Sequence, residues 1–403
     1  MRILYVAQRV PYPPDRGDKI TTYNEIRHLA QSHEVAVACL ADGVADLANV
    51  EPLASLVASV DAVPLHAGAA RIRALSALAM GGPFSVAYFN ERLLHEKVAA
   101  RTAEKPFDAV IVYSSGVAQY AEPLHGVPRI MQFADLDSLK WAQYAEKARF
   151  PKSWLFRREY RLLLEYERHI ARSFDHSLVC TRVELDDLQR LIPGVAASCV
   201  GNGVDLDYFR PTAAAKKEFD LVFTGVMDYP PNVEGVVWFC EQVLPLIRRE
   251  VPGATFTICG SRPAPQVLDL GRIAGVTVTG RVPDVRPFLE QASVCVVPLR
   301  IARGIQNKLM EAMATGLPTV TCRASFSGIE ATPGVDIEVA DTPEAFATAT
   351  IHLLKDPQRR DRMGVAARTC MERNYLWEHQ LAKLDVVIES IVAKRAPARG
   401  RSE

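Results

Sequence analysis

Arg303, Gly304, Ile305, Asn307, Lys308 and Glu311 fall within nine consecutive residues and bring together two cations, a turn-forming glycine, an amide and a carboxylate. An apolar run at 293–297 precedes them and Pro298 closes it. Gly316 and Pro318 end the short helical pattern that follows. A strand, a glycine turn and a helix start, in that order, gather backbone N–H groups and a partial positive charge, which is what a diphosphate requires. Arg303, Asn307 and Lys308 add side-chain donors, the arginine suited to bidentate phosphate contact and the lysine to a point charge. Glu311 follows Asn307 by four residues and so shares its helix face. An acid one turn beyond a phosphate cradle is placed to accept from ribose hydroxyls, as in dinucleotide sites. These residues point to a nucleotide diphosphate whose base and sugar stay open.

Other candidates are sparser. Asp135 and Asp137 stand two apart after an apolar run at 129–133 and offer a general base, a sugar ligand or a helix cap before Ser138. Gly17 sits at a strand-to-helix turn, where backbone can approach a ligand closely. The full glycine fingerprint of nicotinamide dinucleotide sites is missing around it. Asp205 and Asp207 form another acid pair. The eight cysteines include no C-x-x-C, and no histidine pair carries metal-site spacing. No metal or other cofactor is expected.

The elements that must position these residues alternate. Residues 3–7, a helix over about 21–31 and residues 34–40 read as a parallel β-α-β unit. Apolar runs at 109–113, 129–133 and 177–180 extend that sheet, giving one doubly wound α/β domain over 1–205. A turn-rich crossing at 202–211 leads to a second series, with strands expected at 219–225, 254–260, 276–280, 293–297, 317–322 and 335–339. This second Rossmann-like domain covers 216–375 and ends several strands in glycine or proline at the edge where open α/β sheets bind ligands. A last helix is expected over 376–394, and the basic residues 395–403 as a disordered tail.

Lys plus Arg equals Asp plus Glu at 47 each, which argues against a nucleic-acid binder working by broad electrostatics. Pro11, Pro13 and Pro14 stop the first apolar run short of a signal-peptide core, and no window approaches the roughly 18 apolar residues that span a bilayer. A reduced, cytoplasmic setting is expected. Two stretches leave peripheral contact with a membrane face open. Residues 71–80 carry two arginines in an apolar run, and residues 149–161 mix Phe150, Trp154, Phe156 and Tyr160 with five cations. The alternative for the second is an amphipathic helix over 154–171 packed on the sheet.

The run at 202–211, beginning Asn202, Gly203, Val204, Asp205, resembles the domain-junction motif of glycosyltransferase family 4. The segment from Gly280, Arg281, Val282 and Pro283 through Glu311 to Pro318 resembles that family's donor-site region. The likeness runs over nearly the whole chain. Asp228, Tyr229, Pro230, Pro231 and Asn232, the run at 303–308, and Asp135 to Asp137 ahead of Lys140 and Trp141 are similar to a branch of sugar transferases tied to bacterial exopolysaccharide and exosortase (PEP-CTERM) systems. The resemblance implies a GT-B fold, with two Rossmann-like domains facing a cleft and a C-terminal helix crossing back to the first. It also implies retaining transfer from a nucleoside-diphosphate sugar, of UDP or GDP type, to a glycan or lipid-linked acceptor. The family's ribose-binding Glu matches Glu311, its sugar and phosphate loop matches Gly304 and Ile305, and its base-proximal residues match Arg281 and Val282.

The sequence departs from the family in three places. Arg303 stands where the family carries a sugar-binding Glu. Gly225, Val226, Met227, Asp228 and Tyr229 replace the usual Arg and Lys after the second domain's first strand, so positive charge must come from Arg303, Lys308, Arg16 or Lys19. Two Asp residues take the place of a frequent His near Phe133. A sugar-nucleotide epimerase of the same fold, or a non-catalytic nucleotide-sugar-binding protein, are the competing readings.

Overall fold

The computed structural model describes residues 1–212 and 217–395, so the expected tail beyond 395 lies outside the described residues. The chain divides into two compact units, one of residues 1–200 with the chain from Leu381 onward, the other Gly201–Gln380.

The first unit holds a seven-stranded parallel sheet of β1 (Arg2–Ala7), β2 (Glu34–Ala41), β3 (Ser59–Pro64), β4 (Ala109–Tyr113), β5 (Arg129–Ala134), β6 (His176–Val179) and β7 (Ala197–Cys199). Its order is β3-β2-β1-β4-β5-β6-β7. The second unit's six strands are β8 (Phe219–Thr224), β9 (Phe256–Cys259), β10 (Val276–Gly280), β11 (Ala292–Val297), β12 (Thr319–Thr321) and β13 (Glu338–Val339). They are also parallel, in the order β10-β9-β8-β11-β12-β13. Strand order reverses between β1 and β4 in one sheet and between β8 and β11 in the other, the crevice where open α/β sheets take ligands. All of β4 is buried, which is why it reads as an unbroken apolar run rather than an alternating one.

Two strands escape the sequence pattern. In β3, Asp61 interrupts the apolar run; it is satisfied by Lys97 at 3.0 Å and Arg101 at 2.8 Å. β7 is three residues long, too short to show a period. The strand expected at 335–339 shrinks to Glu338–Val339, because the chain turns at Gly334, whose φ is 81°. The first helix begins earlier than expected, at Gly17, and ends at Leu29.

The basic-aromatic stretch continues as the helix Lys152–Ser173, which buries Leu163, Leu164, Ile170 and Ala171 together with Glu159 and Glu167. The two carboxylates lie eight residues apart on one face, and each serves the start of another helix. Glu159 accepts from the N–H groups of Phe84 (3.0 Å) and Ser85 (2.8 Å) at the helix Phe84–Tyr88. Glu167 accepts from the Ser138 N–H (3.2 Å) in the helix Asp137–Lys147. Burial pushes the Glu167 carboxyl up to about 8, with the charge of Asp137 adding to the rise.

Candidate functional site

In the second unit, the expected diphosphate segment lies between β11 and the helix Asn307–Ala314, at the reversal of strand order. Gly304 has φ 62°, a conformation glycine adopts without strain, and turns the chain into the helix. Gly328 packs against it so closely that a Cβ there would lie 2.6 Å from the Gly304 carbonyl oxygen. The loop is thus wedged in shape from behind. Arg303 is half-buried and its carbonyl accepts from Gln306 Nε2 at 3.0 Å, while Ile305 packs on the second unit's core.

Lys308 crosses to the end of β8. Its Nζ donates to Asn232 Oδ1 at 2.6 Å, lies 4.5 Å from the centroid of the Phe223 ring, and sits 3.0 Å from where a Gly225 Cβ would be. The missing side chain at Gly225 therefore leaves room for an ammonium at the crevice. The loop after β8, residues 225–229, carries no cation of its own, and Lys308 brings a charge to that spot from the helix that follows the neighbouring strand β11. Burial lowers the Lys308 pKa to about 8 against the pull of Glu311, and burial raises Glu311 to about 7 against the pull of Lys308. Asn307 is tied down as well: its Oδ1 accepts from Nδ2 of buried Asn202 at 3.0 Å.

Arg281 and Val282 follow β10, two strands away from β8 in the sheet order, in a loop pinned by Asp284. Asp284 pairs with Arg286 at 2.6 Å, and the Arg286 guanidinium lies 3.9 Å from the Tyr208 ring centroid.

In the first unit, Asp135 and Asp137 are drawn together by one residue. Lys140 Nζ lies 2.8 Å from Asp135 Oδ1 and 3.0 Å from Asp137 Oδ1. Burial opposes the charge on Lys140, but the two carboxylates outweigh it and hold its pKa well above the usual lysine value. Asp137 also accepts from Ser115 Oγ at 3.1 Å and Ser114 Oγ at 3.4 Å. It is the first residue of its helix, with Leu136 as the cap position, so the cap role open in the sequence is not its role here. Positive φ values at Ser114 (81°) and Ala134 (61°), the latter beside a register shift between β5 and β6, mark strained backbone on both sides of this cluster. A pocket of about 180 Å³ opens over it, lined by Gln8, Gly116, Asp137, Lys140, Trp141 and Tyr144 among others.

Gly17 is the exposed first residue of its helix, flanked by ion pairs of Asp18 with Arg9 (2.8 Å) and Arg16 (3.2 Å). Lys19 is buried against Asp46 at 3.4 Å. Both basic residues suggested for that turn thus have acidic partners of their own.

Sequence reasoning missed Asn232, Lys140, Ser114 and Ser115 as site residues. Lys140 was within reach: it follows Asp137 by three residues, a spacing that pairs opposite charges on a helix. The serines come from a different strand end and leave no local signal.

Residues 19–203 match the description "Glycosyl transferase 4-like domain" and residues 218–356 match "Glycosyl transferases group 1". The chain belongs to the group 1, family 4 glycosyltransferases. Its two Rossmann-like sheets form the GT-B fold, and solved structures agree. Sucrose-phosphate synthase from Thermosynechococcus elongatus superposes with a TM-score of 0.72 at 16% identity over 98% of this chain and 100% of that one. Anabaena HepE, solved in complex with UDP, gives 0.68 at 13% identity over 97% of this chain and 100% of that one.

Among curated relatives, a GDP-mannose-dependent alpha-(1-6)-phosphatidylinositol monomannoside mannosyltransferase of Mycolicibacterium smegmatis is 29% identical over 48% of this chain and 56% of its own length. A glycogen synthase of Mycobacterium tuberculosis is 24% identical over 63% of each chain. The similarity thus spans less than two thirds of either relative.

Proposed function

We propose that this glycosyltransferase moves a sugar from a nucleoside-diphosphate sugar to a hydroxyl of a glycan or lipid-linked acceptor, with retention at the anomeric carbon, in exopolysaccharide or cell-surface glycan assembly on the cytoplasmic side. The observation that carries the reading is Lys308, brought to Gly225 at the reversal of strand order by the turn at Gly304. The bond from the anomeric carbon to the diphosphate breaks, and the bond to the acceptor oxygen forms on the same face. Lys308, Arg303 and the helix start take up the negative charge that develops on the leaving diphosphate. Glu311 accepts from the ribose hydroxyls, and the loop holding Arg281 and Val282 meets the base. Gly304 and Ile305 line the sugar and phosphates; Gly17, on the first unit, is a donor-binding candidate by its strand-to-helix turn alone.

The acceptor proton passes to the leaving phosphate oxygen, so no free protein base is required. Asp135 and Asp137, held by Lys140, then orient acceptor hydroxyls rather than remove a proton. Support comes from their salt bridges to Lys140 and from the pocket that Asp137 and Lys140 line. The branch tied to exopolysaccharide systems rests on the sequence around Asp228 to Asn232 and at 303–308. No metal is assigned to the site.

Thermal shift with UDP, GDP and ADP sugars identifies the donor. Glu311→Ala is expected to weaken binding of that donor about tenfold or more, the loss of charge-assisted hydrogen bonds. Unchanged affinity removes the ribose assignment. Conversion of the sugar nucleotide without any acceptor would favour an epimerase, and binding without turnover a carrier.

A further inference from the structure

The first unit carries a surface that the transfer reaction does not use. On the helix Ala67–Met80, Ile72, Leu75 and Met80 are 69%, 65% and 79% exposed. Ile72, Leu75 and Ala79 fall on one stripe, with Met80 and Arg71 beside it. Arg158 clamps the end of this helix to the helix Lys152–Ser173, donating to the carbonyls of Leu78 (3.0 Å) and Gly82 (3.2 Å). Trp154 lies one turn before Arg158 on the same face, so its exposed indole extends the apolar stripe. Arg157 and Arg161 are exposed on that face too, and Phe150, 83% exposed, stands just ahead of it.

The exposed charges around this stripe are predominantly positive. Residues 62–90 contain no Asp or Glu. Residues 138–158 contain six Lys and Arg against one acid, Glu146. Arg73 and Lys140 are engaged with Glu91 and with the Asp135 and Asp137 pair, so Arg71, Arg149, Lys152, Arg157 and Arg161 give the face its charge. Exposed tryptophan, phenylalanine and aliphatics ringed by cations are the composition of a helix face that lies in a lipid headgroup layer. A second copy would bring cations against cations, which disfavours a self-interface. No described helix is long and apolar enough to cross a bilayer, so any contact these helices make is along its surface.

We propose that this face, built from the helix Ala67–Met80 and the start of the helix Lys152–Ser173, docks the protein on an anionic lipid surface. The pocket over Asp137 lies just behind: Trp141 in its wall packs edge-on to Phe84 at 5.1 Å and against Phe156 of the docking helix at 5.4 Å. Docking therefore sets the pocket near the headgroup plane. The inference goes beyond the transfer reading and stands or falls separately from it.

The test is sedimentation of the full chain with phosphatidylcholine vesicles, with and without phosphatidylglycerol. The protein is expected to partition onto the anionic vesicles, weakly onto the neutral ones, and less as salt rises. Leu75→Glu and Trp154→Glu, both at exposed positions, should lower partitioning by about tenfold or more, and each of Arg157→Gln and Arg161→Gln by about fivefold. Melting curves and donor affinity should match the parent protein. No binding to anionic vesicles at low salt overturns the proposal, as does binding that these variants leave unchanged. Self-association abolished by Leu75→Glu without vesicle binding also overturns it, in favour of an interface between copies.

Discussion

Lys308 and Glu311 carry pKa values of about 8 and about 7, close enough to neutrality that both charges respond to pH in the ordinary working range. Burial moves the lysine down and the carboxyl up, and each restrains the other. Anion binding needs the ammonium, so affinity for a nucleoside diphosphate falls as pH rises through about 8. Accepting ribose hydroxyls needs the carboxylate, so affinity also falls as pH drops through about 7. The expected profile is a maximum between those values with limbs approaching about tenfold per pH unit. Titration calorimetry across the range checks it. Lys308→Met should abolish the alkaline limb while leaving the acid one. Sequence spacing alone placed Asn307 and Glu311 on one helix face, because both lie on a single element. The contact of Lys308 with Asn232 and Gly225 was not legible, because it joins residues from two strand ends that only the sheet brings together.

Helices and strands were legible to the extent that burial is two-sided and continuous. β4 and β11 could be read as runs of apolar residues, whereas β3 was masked by Asp61, whose charge is answered from the helix Arg92–Glu104 rather than by neighbours in sequence. An amphipathic helix over 154–171 is one of the two readings the sequence leaves open for the basic-aromatic stretch, and two acids on the buried face of the observed helix, Lys152–Ser173, contradict that pattern until their partners are known. Those partners are helix starts, where N–H groups are short of acceptors. Glu167 is the more telling of the pair. Its folded pKa of about 8 lies above the ordinary value of 4.5, so its ionisation favours unfolding. The cost is absent at pH values below the unfolded pKa and grows as pH rises to about 8. Glu167→Gln keeps an acceptor for the Ser138 N–H and adds a donor. It is expected to leave the melting temperature unchanged near pH 4 and to raise it near pH 8, by on the order of 2 kcal/mol in stability. A pair of calorimetric scans at those two pH values decides the matter.

At the scale of the whole chain, the alternation of apolar runs and helical stretches was enough to reveal two α/β halves, and the motifs at 202–211 and 280–318 gave the family. The first unit is discontinuous: local patterning leaves the last helix with the second series, and the family resemblance is what implies that it crosses back to the first. The final helix, Trp377–Arg395, begins among residues of the second unit and from Leu381 belongs to the first. There it buries Leu381, Leu384, Ile388 and Ile391, pairs Asp385 with His28 at 2.7 Å and Arg395 with Asp175 at 2.8 Å. Ending the chain at residue 380 removes four large buried side chains. That is on the order of 5–10 kcal/mol of burial, comparable with the whole stability of a domain. The truncated protein should lose the first unit's melting transition while the second still binds the donor nucleotide, measured by calorimetry with and without ligand. The same discontinuity sets an order of events at the ribosome. Residues 1–200 emerge before the second unit but lack the helix that completes their core until residues 381–395 have been read. The second unit, contiguous in sequence, has all its parts sooner. The half that begins the chain is therefore the half that must wait, holding its unfinished apolar surface through the synthesis of its neighbour.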